Sequence, residues 1–170
     1  MKFTKLVTAL ALSVTAITSF ADTGTFALDL SSGSTFFGRT PVGSFTDTYT
    51  FTLAGSSFLI NSSATSAAVG DQDLDFTSIL LQTGAGVTVG TFAASAASTD
   101  ANEDYKLPIM SLVAGSYKLV VTGINSAAAA SYSGNLAIAP VAAVPEPETY
   151  ALMLAGLGAI GFVARRRRSN

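Results

Sequence analysis

The chain of 170 residues contains no cysteine, histidine or tryptophan. Without cysteine there is no disulfide, thiolate nucleophile or thiolate metal site. Without histidine there is no Ser-His-Asp triad, imidazole base or imidazole zinc ligand. These absences exclude most hydrolase and metalloenzyme mechanisms. Chemistry by paired carboxylates, such as glycoside hydrolysis, stays open in principle.

Basic residues are scarce in the central part of the chain. Residues 22–144 hold nine acidic side chains and only three basic ones, Arg39, Lys106 and Lys118, for a net charge of −6. Four arginines near the C-terminus mask this imbalance in the whole-chain net charge of −2. Because an acidic domain is repelled by a phosphate backbone, we expect no nucleic-acid partner.

Residues 1–21 have the features of a secretory signal peptide. Two lysines precede a short apolar run, and the small residues Ser19 and Ala21 suit a signal-peptidase site before Asp22. We therefore predict cleavage between Ala21 and Asp22, with signal peptidase and the general secretion machinery as partners. A retained N-terminal membrane anchor is the alternative, which the short apolar run disfavours.

The C-terminal segment divides into three parts. Residues 141–148 are predicted to form a stiff, extended linker, because proline fixes φ and disfavours helix in the preceding residue; its central triplet is Pro145, Glu146 and Pro147. Residues 149–164 are uncharged and mostly apolar, and they predict a single transmembrane helix. At ~1.5 Å per residue this run spans about 24 Å, less than the ~30 Å bilayer core. Residues 165–170 are predicted to be cytoplasmic by the positive-inside rule, owing to Arg165, Arg166, Arg167 and Arg168.

This three-part ending resembles the PEP-CTERM sorting signal of Gram-negative bacteria. The resemblance implies recognition by an exosortase, a membrane-embedded cysteine transpeptidase-like enzyme that cuts near the Pro-Glu-Pro triplet. It also implies an ectodomain that is periplasmic in transit and finally at the cell surface or extracellular. Proteins with this tail are often linked to exopolysaccharide and biofilm, and the tail also occurs on some ice-binding proteins. An unprocessed single-pass anchor is the alternative.

Residues 22–140 are predicted to contain strands and loops only, because no stretch holds a long apolar period of 3.6 residues. Candidate strands lie at residues 25–30, 45–53, 57–61, 74–82, 87–92, 105–110, 117–124 and 131–138. This many short strands in about 120 residues favours an all-β fold, an antiparallel β-sandwich of jelly-roll type. A domain of this size can build one core without disulfides.

One strand, at residues 45–53, alternates between apolar residues and threonines but carries a carboxylate on its apolar face. Asp47 stands there between Phe45 and Tyr49. A carboxylate in an apolar setting must be paired or protonated. We interpret Asp47 as a structural acceptor of backbone N–H bonds from a neighbouring loop, with a calcium ligand and a catalytic carboxylate as alternatives.

The motif Phe45-x-Asp47-x-Tyr49 is followed by an acidic segment and two later strand motifs, at residues 71–76, 114–123 and 132–136. This order resembles the FxDxF family of PEP-CTERM proteins, with Tyr49 in place of the second Phe. The layout is also similar to bacterial pre-peptidase C-terminal domains, accessory domains of secreted enzymes of which some bind calcium. Neither resemblance implies catalysis, so we expect a non-enzymatic protein without an obligatory cofactor; a calcium- or glycan-binding accessory module is the alternative.

Three carboxylates alternate along one segment and suggest a calcium site: Asp71, Asp73 and Asp75. Carboxylate oxygens are the hard ligands that calcium selects. The EF-hand pattern fails, because its sixth position is Phe76 and its twelfth is Gln82. The alternative is an acidic loop anchored by apolar neighbours. A second acidic stretch, residues 100–104, is predicted to be a solvated turn.

A row of threonines on the polar face of the 45–53 strand raises the hypothesis of ice binding: Thr46, Thr48, Thr50 and Thr52. One row is not an array, and in the sequence no neighbouring strand repeats it. Threonine is also a good strand former on an exposed face. We therefore expect the row to be an ordinary solvent-facing surface.

Overall fold

The computed structural model describes residues 21–55, 57–68, 73–126, 130–141 and 147–168. Four predicted site residues lie outside these ranges: Ser19, Asp71, Pro145 and Glu146. The described ranges contain ten strands and one helix in the order β1 (Asp22–Ala27), β2 (Ser34–Arg39), β3 (Gly43–Leu53), β4 (Phe58–Ala67), β5 (Leu74–Thr83), β6 (Thr88–Thr91), β7 (Ala93–Ala94), β8 (Asn102–Leu112), β9 (Gly115–Asn125), β10 (Tyr132–Pro140) and α1 (Pro147–Arg168).

The strands form two five-stranded sheets. Sheet A has the order β1-β3-β9-β5-β6, and sheet B has the order β2-β10-β4-β8-β7. Every strand pair is antiparallel except β1 with β3, because the chain leaves β1 to build β2 in the other sheet before it returns. The all-β prediction is confirmed, with one parallel pair in a mainly antiparallel arrangement. Jelly-roll connectivity stays a prediction.

The inner faces of the two sheets share one core. In β3 the buried positions alternate with more exposed ones, as the sequence pattern predicts. Leu119 and Val121 of β9 join them from sheet A, and Ile60 and Leu136 supply the same cluster from sheet B; each of these four is fully buried. The sandwich-like arrangement therefore brings side chains of both sheets to the centre of the molecule.

Strands β2, β4 and β7 differ most from the sequence prediction, and the two-residue β7 was not predicted at all. β2 was not predicted, because its six residues mix serine, threonine, glycine and arginine with two phenylalanines and show no clean alternation. β4 runs from Phe58 to Ala67, well past the predicted end at residue 61. Its second half points serine and alanine inward, with Ser62, Ala64 and Ser66 buried. Small side chains give no hydrophobic signal, so only the packing of the sheets reveals this half of the strand.

The C-terminal segment is a helix of 22 residues, Pro147–Arg168. It starts inside the predicted linker, since proline is well tolerated at the first helical position. Glu148 in the first turn and the arginines in the last turn stabilise the helix, because their charges oppose the partial charges at its two ends. Among the described residues, no helix combines the length and the hydropathy needed to cross a bilayer. The transmembrane assignment of residues 149–164 is not confirmed.

Candidate functional site

Asp47 lies at the centre of a buried polar network that joins both sheets. Its side chain is completely buried. The Nε of Arg39 donates to both carboxylate oxygens, at 2.9 and 2.8 Å. The hydroxyl of Tyr132 donates to Oδ2 at 2.5 Å. Because Asp47 belongs to sheet A while Arg39 and Tyr132 belong to sheet B, these hydrogen bonds hold the two sheets together.

The network extends to the N-terminal strand and to a second tyrosine. The hydroxyls of Tyr49 and Tyr132 are 2.8 Å apart. Nη2 of Arg39 lies 3.0 Å from Oδ2 of Asp22, the first residue of β1. No N–H of that nitrogen points at an acceptor among the described residues, so this contact is an ion pair rather than a hydrogen bond. The guanidinium therefore bridges two carboxylates.

Aromatic rings exclude water from this network. Phe26 stacks on Tyr49 with ring centroids 5.2 Å apart, and Phe37 approaches the same ring at 5.1 Å. Phe45 stacks on Tyr132 at 5.5 Å. A low-dielectric surrounding strengthens the charge-assisted hydrogen bonds inside it. The first aromatic residue of the Phe45-x-Asp47-x-Tyr49 motif thus shields the network, and Tyr49 is part of it.

The ionisation of the network follows from these contacts. The hydrogen bond to Asp47 raises the pKa of Arg39, which keeps the guanidinium charged. Burial raises the pKa of Tyr132, and the hydrogen bond that it donates to Asp47 adds to this effect. Burial also raises the pKa of Tyr49. The close contact with the Arg39 guanidinium lowers the pKa of Asp22. The two tyrosines stay neutral donors beside a charged pair.

The structure corrects the predicted partners of Asp47. The carboxylate accepts hydrogen bonds from two side chains of the opposite sheet, not from the backbone of a loop. Sequence reasoning missed Arg39 and Tyr132 because they lie 8 and 85 residues away and belong to other strands. One signal was present in the sequence: Arg39 is one of only three basic residues in the acidic segment.

The predicted calcium ligands are brought together in part. Carboxylate oxygens of Asp73, Asp75 and Asp100 lie within 4.8 Å of one another. Partial desolvation raises the pKa of Asp75, and the neighbouring charges of Asp73 and Asp100 raise it further. Asp100 was not predicted as a partner, because it comes from the segment before β8, far along the chain from Asp73 and Asp75. We call this cluster of three aspartates, where β5 begins, the acidic corner. The arrangement is a compact set of hard oxygen donors at one end of sheet A.

The second acidic stretch is not a solvated turn throughout. Glu103 and Asp104 are in β8, and both are only partly exposed. Glu103 accepts a hydrogen bond from the backbone N–H of Phe76 at 2.7 Å and one from the Ser66 hydroxyl at 3.2 Å. Asp104 accepts a hydrogen bond from Ser95 at 2.6 Å. Glu103 thereby links β8 and β4 of sheet B to the outer edge of β5 in sheet A.

The predicted sorting and cleavage residues lie at the two ends of the described chain. Ala21 is exposed and directly precedes β1, whose first residue is Asp22. Pro147 begins α1, and Arg165 and Arg166 are exposed near its C-terminal end. Arg167 and Arg168 form its last two residues.

The comparison with protein families finds one match. The PEP-CTERM protein-sorting motif matches residues 143–168, which include the Pro-Glu-Pro triplet and the four arginines. The chain therefore carries a PEP-CTERM sorting motif. This motif implies an exported protein that passes a membrane and is processed by an exosortase. No curated protein sequence matches the chain.

Several solved structures are similar to this chain at low sequence identity. The pre-peptidase C-terminal domain of a collagenase from Bacillus anthracis is 15% identical, with a TM-score of 0.41 over 70% of this chain and 96% of that domain. Aeromonas hydrophila PliG, a periplasmic inhibitor of g-type lysozyme, is 14% identical, with a TM-score of 0.39 over 71% and 100% of the two chains. A PliG mutant from Escherichia coli is 17% identical, with a TM-score of 0.33 over 68% and 98%.

Proposed function

We propose that this protein is an exported, non-enzymatic component of the cell surface or extracellular matrix, sorted by its C-terminal signal. The observation that carries the proposal is the sorting motif at residues 143–168. Signal peptidase and the general secretion machinery act first, at Ala21–Asp22. An exosortase then cuts near the Pro-Glu-Pro triplet while the C-terminal helix engages the inner membrane and the ectodomain is periplasmic. The product is free at the surface or outside the cell.

The proposed role of the ectodomain is structural or adhesive, in contact with exopolysaccharide and biofilm matrix. The proposal also includes membership of the FxDxF family and jelly-roll connectivity of the strands. Two observations support a non-enzymatic role. Asp47 is fully buried and engaged by Arg39, so a substrate cannot reach it. Asp75 is exposed on the outer face of sheet A, whereas Asp47 lies on the inner face, so these carboxylates do not form a pair across a cleft.

The test is the intact mass of the protein in each cell fraction of its native host. We expect the wild-type protein in a surface or medium fraction, starting at Asp22 and lacking everything after the Pro-Glu-Pro region. A variant with all four arginines of residues 165–168 changed to glutamine is expected to stay unprocessed. The matched control changes Lys106 and Lys118 to glutamine, which removes positive charge from the ectodomain only, and should be processed normally. A wild-type mass that still ends at Asn170 and is confined to the inner membrane contradicts the sorting proposal.

A second candidate function is a calcium-binding accessory module. The observation in its favour is the approach of Asp73, Asp75 and Asp100 within 4.8 Å. A ligand that binds only the folded state raises the melting temperature in proportion to the logarithm of its concentration. We expect calcium to raise the melting temperature of the wild-type protein and to have a smaller effect on Asp75→Asn. Asp29→Asn, in a loop away from this corner, is the matched control. Equal shifts in all three proteins, or none, contradict the calcium function.

A further inference from the structure

The outer face of sheet A carries a grid of threonines that the sequence did not reveal. In the parallel pair β1–β3, Thr23 is opposite Thr46 and Thr25 is opposite Thr48. On the other side of β3, Thr122 of β9 is opposite Thr46, and Val120 is opposite Thr48. The expectation that no neighbouring strand repeats the β3 row is therefore wrong. We name this set the threonine patch: Thr23, Thr25, Thr46, Thr48, Val120 and Thr122.

The patch is regular in two directions. Neighbouring strands are about 4.8 Å apart, and alternate residues along a strand are about 6.7 Å apart, so the grid repeats at these two spacings. Each threonine presents a methyl group and a hydroxyl from the same carbon. Among the described residues, none of the five hydroxyls has a hydrogen-bond partner in the protein, and all are at least partly exposed. They are available to an external partner.

The patch also contains no charged side chain, although the domain is strongly acidic. Asp22 and Asp47 alternate with the patch residues and belong to the opposite face of their strands. Lys118 flanks the patch at one end on β9, and Asp75 lies beyond the other end on β5. Charge complementarity therefore points to an uncharged partner. No aromatic side chain belongs to the patch, so it lacks the flat ring on which a sugar stacks.

We propose that the threonine patch binds ice. A crystalline partner repeats in two dimensions, as the patch does, and ice surfaces present water oxygens at repeat distances of the same order as the strand grid. The methyl groups favour ordered water between them, and the hydroxyls anchor that water by hydrogen bonds. The proposal does not depend on the sorting function, because it concerns the folded ectodomain alone.

Sheet twist limits the size of this site. Adjacent strands rotate by roughly 20–25° relative to each other, so a face stays nearly flat over only a few strands. The patch spans three adjacent strands, β1, β3 and β9. Binding to ice is therefore weak for one copy, and inhibition of ice recrystallisation is a more sensitive measure than depression of the freezing point.

The experiment measures partition of the purified full-length protein into slowly growing ice, together with inhibition of ice recrystallisation. Thr48→Lys places a charge at the centre of the patch, and Thr65→Lys makes the same change on β4, on the outer face of sheet B. A third variant, Thr48→Val, keeps the shape and the methyl groups. Melting temperatures of all variants are measured first, so that only folded proteins are compared.

We expect the wild-type protein and Thr65→Lys to enter ice several-fold more than an inert protein of similar size, and Thr48→Lys to be excluded. Thr48→Val should keep most of this uptake, because its methyl groups and the other four hydroxyls of the patch remain. Exclusion of the wild-type protein overturns the proposal, as does equal incorporation of all variants. The same proteins are also sedimented with an insoluble neutral polysaccharide. Binding that Thr48→Lys abolishes there, without any affinity for ice, assigns the patch to a glycan and likewise overturns the proposal.

Discussion

Asp47 shows how a single carboxylate can be placed in an apolar core. Burying a charge is costly, and a buried ion pair is often no more stable than an apolar replacement of the same shape. Removing only one member of a buried ion pair is nevertheless damaging, because the charge of the other member is then left uncompensated. Here Arg39 connects Asp47 with Asp22, so one guanidinium fixes the inner sides of β1, β2 and β3. The network thus specifies how the sheet edges meet.

The first prediction concerns the charge of Asp47. Asp47→Asn keeps the shape but leaves Arg39 without its buried counter-charge, and we expect a loss of about 3 kcal/mol in the free energy of unfolding. Chemical denaturation measures this difference. Asp29→Asn removes a carboxylate from an exposed loop and should change stability far less. Similar losses in the two variants would show that the network contributes nothing beyond surface charge.

The second prediction concerns the hydroxyl of Tyr132. Tyr132→Phe removes the hydrogen bond to Asp47 and the contact with Tyr49, and bonds to charged groups contribute about 1.5–3 kcal/mol. Tyr117→Phe is the matched control, because its buried hydroxyl donates only to the carbonyl of Val113. A neutral hydrogen bond of that kind contributes about 0.5–1.5 kcal/mol. Thermal and chemical unfolding of both variants should therefore rank Tyr132→Phe as the more damaging change.

At the scale of elements, the close packing of β10 depends on a glycine at one of its positions. A Cβ at Gly134 would meet the ring of Phe37 and the backbone carbonyl of Ser63, one from each neighbouring strand. We expect Gly134→Ala to lower the free energy of unfolding by about 1–3 kcal/mol through overpacking. Ser133→Ala, at the adjacent exposed position, is the control for strand propensity. An unchanged stability of Gly134→Ala would mean that β10 can shift away from β4.

The corner between β5 and β8 gives the domain a defined response to pH. Burial raises the pKa of Glu103, and the charges of Asp75 and Asp73 add to the effect, although hydrogen bonds from Phe76 and Ser66 oppose it. A raised folded-state pKa means that the folded protein holds this proton more tightly than the unfolded chain. The stabilisation from this proton is complete below the pKa of Glu103 in the unfolded chain, about 4.3. It is lost as pH rises through the higher pKa of Glu103 in the folded protein.

The corresponding prediction compares Glu103→Gln with the wild-type protein as pH rises from about 4. Glutamine keeps an oxygen to accept the N–H of Phe76 but cannot ionise. We therefore expect the wild-type protein to lose stability relative to this variant as pH increases. Glu148→Gln, on the exposed first turn of α1, is the control and should follow the wild-type curve. Parallel curves for all three proteins would show that Glu103 is not the group responsible.

At the scale of the whole molecule, the core and the sorting segment are separate. Every residue of the hydrophobic cluster lies between positions 28 and 138, whereas the described side chains of α1 are exposed. We therefore expect removal of residues 142–170 to leave the melting temperature of the domain unchanged, while Val141 and its hydrogen bond to Ser57 are kept. Calorimetry of the two chains checks this. A clear drop after truncation would mean that the C-terminal segment supports the fold.

The sequence by itself determined the features that depend on local pattern. The alternation in residues 45–53 is a strand because period two buries one face, and the C-terminal Pro-Glu-Pro, apolar run and arginines identify a sorting motif without reference to the fold. It also placed Asp47 on a buried face. Most strands in the middle of the chain were predicted within a few residues of their observed bounds for the same reason.

Only the tertiary structure decided which distant residues meet. Arg39 and Tyr132 reach Asp47 from other strands, Asp100 joins Asp73 and Asp75 from another segment, and Thr23 and Thr122 flank Thr46. Strand order and register set these neighbours, and they depend on how two sheets share one core rather than on any local period. Small buried residues such as Ala64 carry no hydrophobic signal of their own, so their strand is defined by its partners.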